Sequence, residues 1–288
     1  MKGRSVKLLS LALLLCLLVC GVPAFAEEAE PAYTDMRIYI DGLLTCRGYA
    51  RGGTSLLPVE DVCRFFNVEL AVNRDDTAGK YNLSAPGLEA EIGDGKEYLL
   101  ANQRYFYAPG GAALIGGELY LPAEALAKLL GLSCTLTEDL RRMDIDSAGM
   151  QLARGSSTYY SDNFGTDDVF WLARIIHAEA ANQPLAGQIG VGNVVLNRVD
   201  SPDFPSTVFD VIFDMEHTIQ FEPISNGSVY ATPDEQSRIA ACLCLDGYNT
   251  VGDSLYFVNP AHGSGWFDSA LDLTITIGGH NFYSVRGA

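Results

Sequence analysis

The 288-residue sequence is short of positive charge, histidine and tryptophan. Lysine and arginine number 19 against 36 aspartates and glutamates, leaving a formal net charge of −17 at pH 7. Such a balance offers no general basic surface to neutralise phosphates, which excludes nucleic acid as a partner. It also gives no long-range steering toward an anionic polymer, so any such binding must come from local contacts. The 4 histidines all lie beyond residue 166. None stands in H-E-x-x-H or a comparable ligand spacing, so no metal and no cofactor is expected. C-x-x-C is missing as well. Outside the first 26 residues the cysteines are Cys46, Cys63, Cys134, Cys242 and Cys244. That odd number cannot complete an intramolecular disulfide framework. Cys242 and Cys244 fall two apart on a predicted helix, a poor geometry for pairing. Buried thiols are expected, and nothing in the sequence supports a Cys46–Cys63 bridge.

What is present begins with "MKGRSVKLLSLALLLCLLVCGVPAFA". A basic start, a leucine-rich run and the small-x-small triplet Ala24-Phe25-Ala26 predict a signal peptide over residues 1–26, cut after Ala26. Gly21 and Pro23 argue against a transmembrane anchor, and Val19 before Cys20 argues against a lipoprotein. The expected location is secreted or in the cell envelope, with no anchor left after cleavage. The remainder is long enough for two domains with real cores.

Residues 36–150 hold an internal repeat. "SLLPVEDVCRFFNVEL" (55–70) and "LYLPAEALAKLLGLSC" (119–134) align at an offset of 64, matching Pro58 with Pro122, Glu60 with Glu124 and Phe66 with Leu130. Each copy reads as a short strand, a proline at the first helical turn, an amphipathic helix and a further strand. The further strands are "KYNLSA" (80–85) and "RMDIDS" (142–147), and "MRIYIDG" (36–42) and "EYLLANQRYFYAP" (97–109) are also strand-like. With "IYIDG", "SLLPVEDV" and "LYLPAEALAKLLG", this half resembles the stalk-like N-terminal domain of copper amine oxidases. No copper is implied, because residues 27–166 contain no histidine. The resemblance implies a binding or spacer module, with a wall or envelope protein as its partner. Residues 151–166, rich in Ser, Gly, Tyr and Asp, read as a linker to a second domain over 167–288.

That domain opens with "LARIIHAEAANQPLAGQIGVGNVVLNRV" (172–199). On a helix, Glu179 shares a face with Leu172, Ile175 and Ile176. An acid on an apolar stripe is poorly solvated, which raises its pKa as a general acid requires. A boundary glutamate paired with Arg174 or Arg198 is the bland alternative. Pro184 opens a second helix whose Gly187, Gly190 and Gly192 cost helical stability, so close packing is expected to compensate. "TVFDVIF" (207–213) is strand or helix. Thr232 and Glu235 flank Pro233 as a capping box for a helix that ends at Gly247. "SLYFVN" (254–259) and "LTITIGGHNFY" (273–283) read as strands, the latter turning at Gly278-Gly279.

"HAEA" around Glu179, "GQIGVGNVVLNRVDSPDFP" (187–205), "QF" (220–221), "LYFVNP" (255–260), Trp266 and "IGGHNFY" (277–283) together resemble the SleB/CwlJ type of cell wall hydrolase, the spore-cortex-lytic enzymes. The resemblance implies cleavage of the peptidoglycan glycan strand between N-acetylmuramic acid, or muramic-δ-lactam, and N-acetylglucosamine. It places the catalytic glutamate on Glu179 and implies a lytic transglycosylase, in which one Glu serves as acid and then base. An ordinary glycosidase needs two carboxyl groups, for which Asp214, Glu216 and Glu222 are candidates. The family usually has an acid where this chain has Gln183, and often Asp where it has Asn226.

Gln220, Phe221, Tyr256, Asn259, Trp266, His280 and Tyr283 are the candidate substrate-binding residues. The aromatic rings among them read either as sugar-stacking surfaces or as core. His177 and His217 read as surface and loop, and His262 as a subsite or loop residue. The expected fold is α+β. A pseudo-repeat stalk-like α/β domain comes first, followed by a lysozyme- or transglycosylase-like catalytic domain with a helical core and a small sheet. The expected activity is that of an exported peptidoglycan-lytic enzyme. The alternative is a catalytically inactive wall-binding protein.

Overall fold

Alternation sets the first sheet. In "TDMRIYI", Met36, Ile38 and Ile40 are buried and the residues between them face outward, the period-two pattern of a strand with one wet face. The computed structural model describes residues 33–139, 141–152, 164–215 and 221–287, so the predicted signal peptide and most of the predicted linker lie outside the described residues. Over its first half the chain runs β1 (Thr34–Ile40), β2 (Leu43–Arg51), β3 (Thr54–Pro58), α1 (Val59–Phe65), β4 (Ala71–Asp75), β5 (Lys80–Ala85), β6 (Leu88–Gly93), β7 (Tyr98–Ala101) and β8 (Arg104–Tyr107). The second repeat then follows as β9 (Ala113–Ile115), β10 (Glu118–Pro122), α2 (Ala123–Leu130), β11 (Ser133–Leu136) and β12 (Arg142–Asp146).

The repeat has a structural meaning. Leu57 of β3 pairs directly with Leu121 of β10, its equivalent at the offset of 64, and Pro58 and Leu56 pair reciprocally with Tyr120 and Pro122. A local two-fold axis therefore passes between the two leucines, both fully buried. The copies then diverge. β11 and β12 complete a seven-stranded sheet in the order β11-β12-β1-β2-β3-β10-β9, whereas β4 and β5 join β6, β7 and β8 in a separate five-stranded meander. Both prolines end their strands and cap the helices, one position earlier than the first-turn placement expected. "EYLLANQRYFYAP" is a hairpin and not one strand, because Asn102 and Gln103 take positive φ (48° and 68°) and reverse the chain. One apolar core, including Ile38, Leu57, Leu83, Phe106 and Leu126, is shared by both sheets and both helices.

The second half is helical first. It runs α3 (Thr166–Ala180), α4 (Leu185–Asp200), α5 (Val208–Ile212), α6 (Glu222–Asn226) and α7 (Glu235–Leu245), then β13 (Tyr256–Val258), α8 (Gly265–Ala270), β14 (Leu271–Ile277) and β15 (His280–Val285). The three strands form a small antiparallel sheet in the order β13-β15-β14. The glycines of α4 are where the helices meet most closely. A Cβ at Gly192 would stand 2.6 Å from Cys244 Sγ and 2.9 Å from Ile176 Cδ1, and one at Gly190 would stand 2.8 Å from Phe282 and Val251. The α7 cap differs from the expected capping box: Asp234, not Thr232, is the N-cap, and its carboxylate accepts the Ser237 N–H at 2.7 Å. Cys46 and Cys63 are not bridged, and Cys134 and Cys244 are likewise unbridged thiols. Mixed α+β is the observed class.

The two halves lie in one compact unit and share a seam. Arg104 of β8 donates to Asp246 at the end of α7 (2.9 Å), Lys128 of α2 sits 3.3 Å from the centre of the Tyr248 ring, and Tyr107 packs edge-on against the same ring.

Candidate active site

Glu179 lies in the last turn of α3, one turn above Ile175 and Ile176, and these two with Leu172 are fully exposed to the core and not to water. The carboxyl is half-buried. Burial, reinforced by the negative charge of Glu222, pushes its pKa up to about 7. Glu222 is the first residue of α6, which packs against α3. Neither arginine of the bland alternative neutralises Glu179. Arg174 donates to the carbonyls of Tyr230 and Ala231, and Arg198 donates through Nε to the Leu255 carbonyl at 2.8 Å. A carboxyl with a pKa near neutrality, and no cation beside it among the described residues, can both give and take a proton at physiological pH.

Arg198 has a different part, which its place on an apolar helix did not disclose. It is 4% exposed, and its guanidinium lies 5.0, 5.3 and 5.5 Å from the ring centres of Phe204, Phe221 and Tyr256. Burial lowers its pKa to about 10 against the opposing pull of Tyr256 and Asp214. Two polar neighbours on α4 work in the same direction. Asn193 holds the Tyr248 carbonyl and the Thr250 N–H, and Asn197 holds the carbonyls of Gly252 and Ser254. Together they fix the loop that delivers β13, with Tyr256 and Phe257, to its place beside α4.

The sequence-derived candidates fall into connected groups. Phe221, next to Glu222, is buried and tilts against Phe257 at 6.4 Å; Phe257 in turn meets His280 at 5.3 Å. Tyr256 is half-buried and meets the exposed Trp266 edge-on at 6.5 Å. Tyr283 is buried opposite Tyr256 in the sheet, and its hydroxyl donates to Asp268 on the helix that carries Trp266. The rings of Phe221 and Tyr283 therefore present no face to solvent. Asn259 is turned to local use: its side chain accepts the Ala261 N–H at 3.0 Å. Gln220, His217 and Glu216 lie outside the described residues. His177, half-buried, approaches Asp234 at 3.4 Å. Among the described residues no group of three or more His, Cys, Asp or Glu side chains could hold a metal ion.

Gln183, where the family usually has an acid, has a defined job. Its Oε1 accepts the Gly279 N–H at 2.7 Å, tying the α3–α4 turn to the β14–β15 hairpin one residue before His280. His280 is buried against Phe257 and Phe282, burial lowers its pKa, and Nδ1 has no partner among the described residues. A carboxylate could accept the same amide hydrogen, so this contact does not require an acid at position 183.

Residues 182–283 match the family model of the cell wall hydrolases. Over these residues the chain is similar to that family. The match to the cell wall hydrolase domain begins three residues after Glu179, so the role of Glu179 rests on its surroundings. Among curated proteins, the chain is 36% identical over 138 residues to the spore cortex-lytic enzyme of Halalkalibacterium halodurans, covering 48% of this chain and 39% of that one. It is 34% identical over 97 residues to the spore cortex-lytic enzyme of Bacillus subtilis, covering 34% of this chain and 31% of that one. The chain thus spans well under half the length of the curated relatives it matches. Among solved structures it resembles the catalytic domain of the germination-specific lytic transglycosylase SleB from Bacillus anthracis. That match has 30% identity and a TM-score of 0.40, and covers 43% of this chain and 99% of that one.

Proposed function

We propose that the chain is a peptidoglycan-lytic enzyme that cuts the glycan strand between N-acetylmuramic acid, or its δ-lactam, and N-acetylglucosamine, with Glu179 as its acid and base. The observation that carries this is the carboxyl of Glu179, held near neutrality on the helix that leads into the matched residues, with no cation beside it among the described residues. Glu179 protonates the glycosidic oxygen as the C–O bond breaks. As carboxylate it then takes the proton of the muramic 6-hydroxyl, which closes on C1 and leaves a 1,6-anhydro end. Tyr256 and Trp266 offer ring faces to the sugars, and Asn259, His280 and Gln220 are proposed to order the site. The relatives named for spore cortex support cortex as one substrate and the cell envelope or spore as the location.

Glu222 supports a second reading. Its charge already acts on Glu179. If it activated water, the enzyme would be a hydrolase with two carboxyl groups. Mass spectrometry of fragments released from purified cortex and vegetative peptidoglycan decides between them. Anhydro-muramic ends, absent with Glu179→Gln, are expected; reducing ends in their place would give the second carboxylate its role. No fragments from either polymer would overturn both readings.

A further inference from the structure

The outer face of the seven-stranded sheet carries an arrangement at odds with an acidic chain. Arg47, Arg37 and Arg142 stand directly opposite one another on β2, β1 and β12. Register partners share a face, so three guanidinium groups form a row across three adjacent strands. Arg141, just before β12, adds a fourth, and all four line one groove of about 700 Å³.

Folding does not call for this row. The opposite faces of β1 and β12, with Met36, Ile38, Met143 and Ile145, supply the core. Like charges placed directly opposite destabilise a sheet, and the neighbours relieve only part of that. Arg142 forks onto Asp144 at 2.7 and 2.8 Å and lies over the Tyr39 ring at 4.0 Å. Asp35 and Asp139 also line the groove, but Asp139 is engaged by Thr137 Oγ1 at 2.7 Å and by the Arg141 N–H at 3.1 Å. The side chains of Arg37, Arg47 and Arg141 are exposed and make no hydrogen bond or ion pair among the described residues.

We propose that this arginine row binds the peptide-stem carboxylates of peptidoglycan, holding the chain on the polymer that the Glu179 site cuts. The inference rests on the function proposed above, since it takes the partner to be the same polymer. A guanidinium is a planar fork that receives a carboxylate through two parallel hydrogen bonds. Stem peptides repeat along a glycan strand and carry several carboxylates each, so a row of cations meets more than one at a time. The substrate itself supplies these groups, and no second polymer is needed.

Sedimentation with insoluble peptidoglycan stripped of teichoic acids tests this, using the full chain carrying Glu179→Gln so that binding is read without cleavage. Adding Arg37→Gln, Arg47→Gln and Arg141→Gln is expected to weaken binding by roughly tenfold or more, the loss of one or more charge-assisted contacts. It should also flatten the dependence of binding on salt. Amidation of the polymer's carboxylates should bring the unmutated row down to the same level. Unchanged affinity in the triple variant, or undiminished binding to the amidated polymer, would overturn the proposal. So would binding only to peptidoglycan that keeps its teichoic acids, which would make phosphate the partner. Cleavage of short peptide-free glycans, measured with Glu179 intact, should be the same with and without the row. Its absence would count against the proposed function, while the sedimentation result would still decide the role of the arginines.

Discussion

Among the described residues two carboxyl groups have their pKa raised by burial, and they differ in the charges that stand beside them. Asp246, at the seam between the halves, has burial opposed by the hydrogen bond from Arg104 and by the charges of Arg104 and Lys128. Glu179 has burial reinforced by another acid. Asp246 is neutralised where it stands and joins two packed regions. Glu179 is left with its proton poorly committed, the condition for exchanging it with a substrate.

The largest expected effect comes from removing one side of that comparison. Glu179→Gln should lower glycan cleavage by about 10²–10⁴-fold or more, the usual worth of a general acid–base group, measured as released muropeptides. Asp246→Ala should do the opposite. Cleavage per folded molecule stays near the parent's, while stability falls by roughly 1–3 kcal/mol in denaturant melts, softened because Arg104 is about a third exposed.

A pH series sharpens the contrast. The folded pKa of Glu179 lies above the ordinary glutamate value of 4.5, at about 7. The folded state therefore holds this proton more tightly than the unfolded one, and stability declines as pH rises between those values. Glu179→Gln removes that penalty. Its unfolding free energy should exceed the parent's above pH 7 by an amount on the order of 1–3 kcal/mol, read as a higher melting temperature, and the gap should close below about pH 4.5. In the active enzyme the same titration gives an alkaline limb, as the acid loses its proton. Glu222→Gln should move that limb to lower pH, because the repulsion that raises Glu179 is gone. The smallest change is expected from Gln183→Glu, which can still accept the Gly279 N–H. Cleavage and melting should both stay close to the parent's, whereas Gln183→Ala releases the hairpin and should slow cleavage.

Much of this was legible in the sequence wherever the signal is periodic or local. The apolar stripe of Leu172, Ile175 and Ile176 singles out Glu179 from the sequence, since helical spacing alone decides which residues share a face. The repeat around Pro58 and Pro122 foretold two similar strand–helix units, and the costly glycines of α4 foretold the close approach to Cys244 and Phe282. What escaped depends on partners far along the chain. Nothing near Arg198 says that it will be enclosed by Phe204, Phe221 and Tyr256. Nothing near Gln183 says that its acceptor role lies 96 residues away at Gly279. The arginine row was invisible for the same reason, because Arg37 and Arg142 become neighbours only through a parallel pairing. Thr232 was mistaken for the cap because it alone has a Glu three residues on, whereas Asp234, a good N-cap residue followed by Ser237, takes the position through the geometry of the turn.

That parallel pairing of β1 with β12 also orders events in time. β1 pairs at once with β2, but its other edge finds β12 only after more than a hundred intervening residues have been made, and closing a loop of that length is slow. The helices α3, α4 and α7 meet over much shorter separations. During synthesis the amino-terminal sheet thus waits half-built, with the edge of β1 open, until β12 arrives; any delay there exposes an unpaired strand to neighbouring chains.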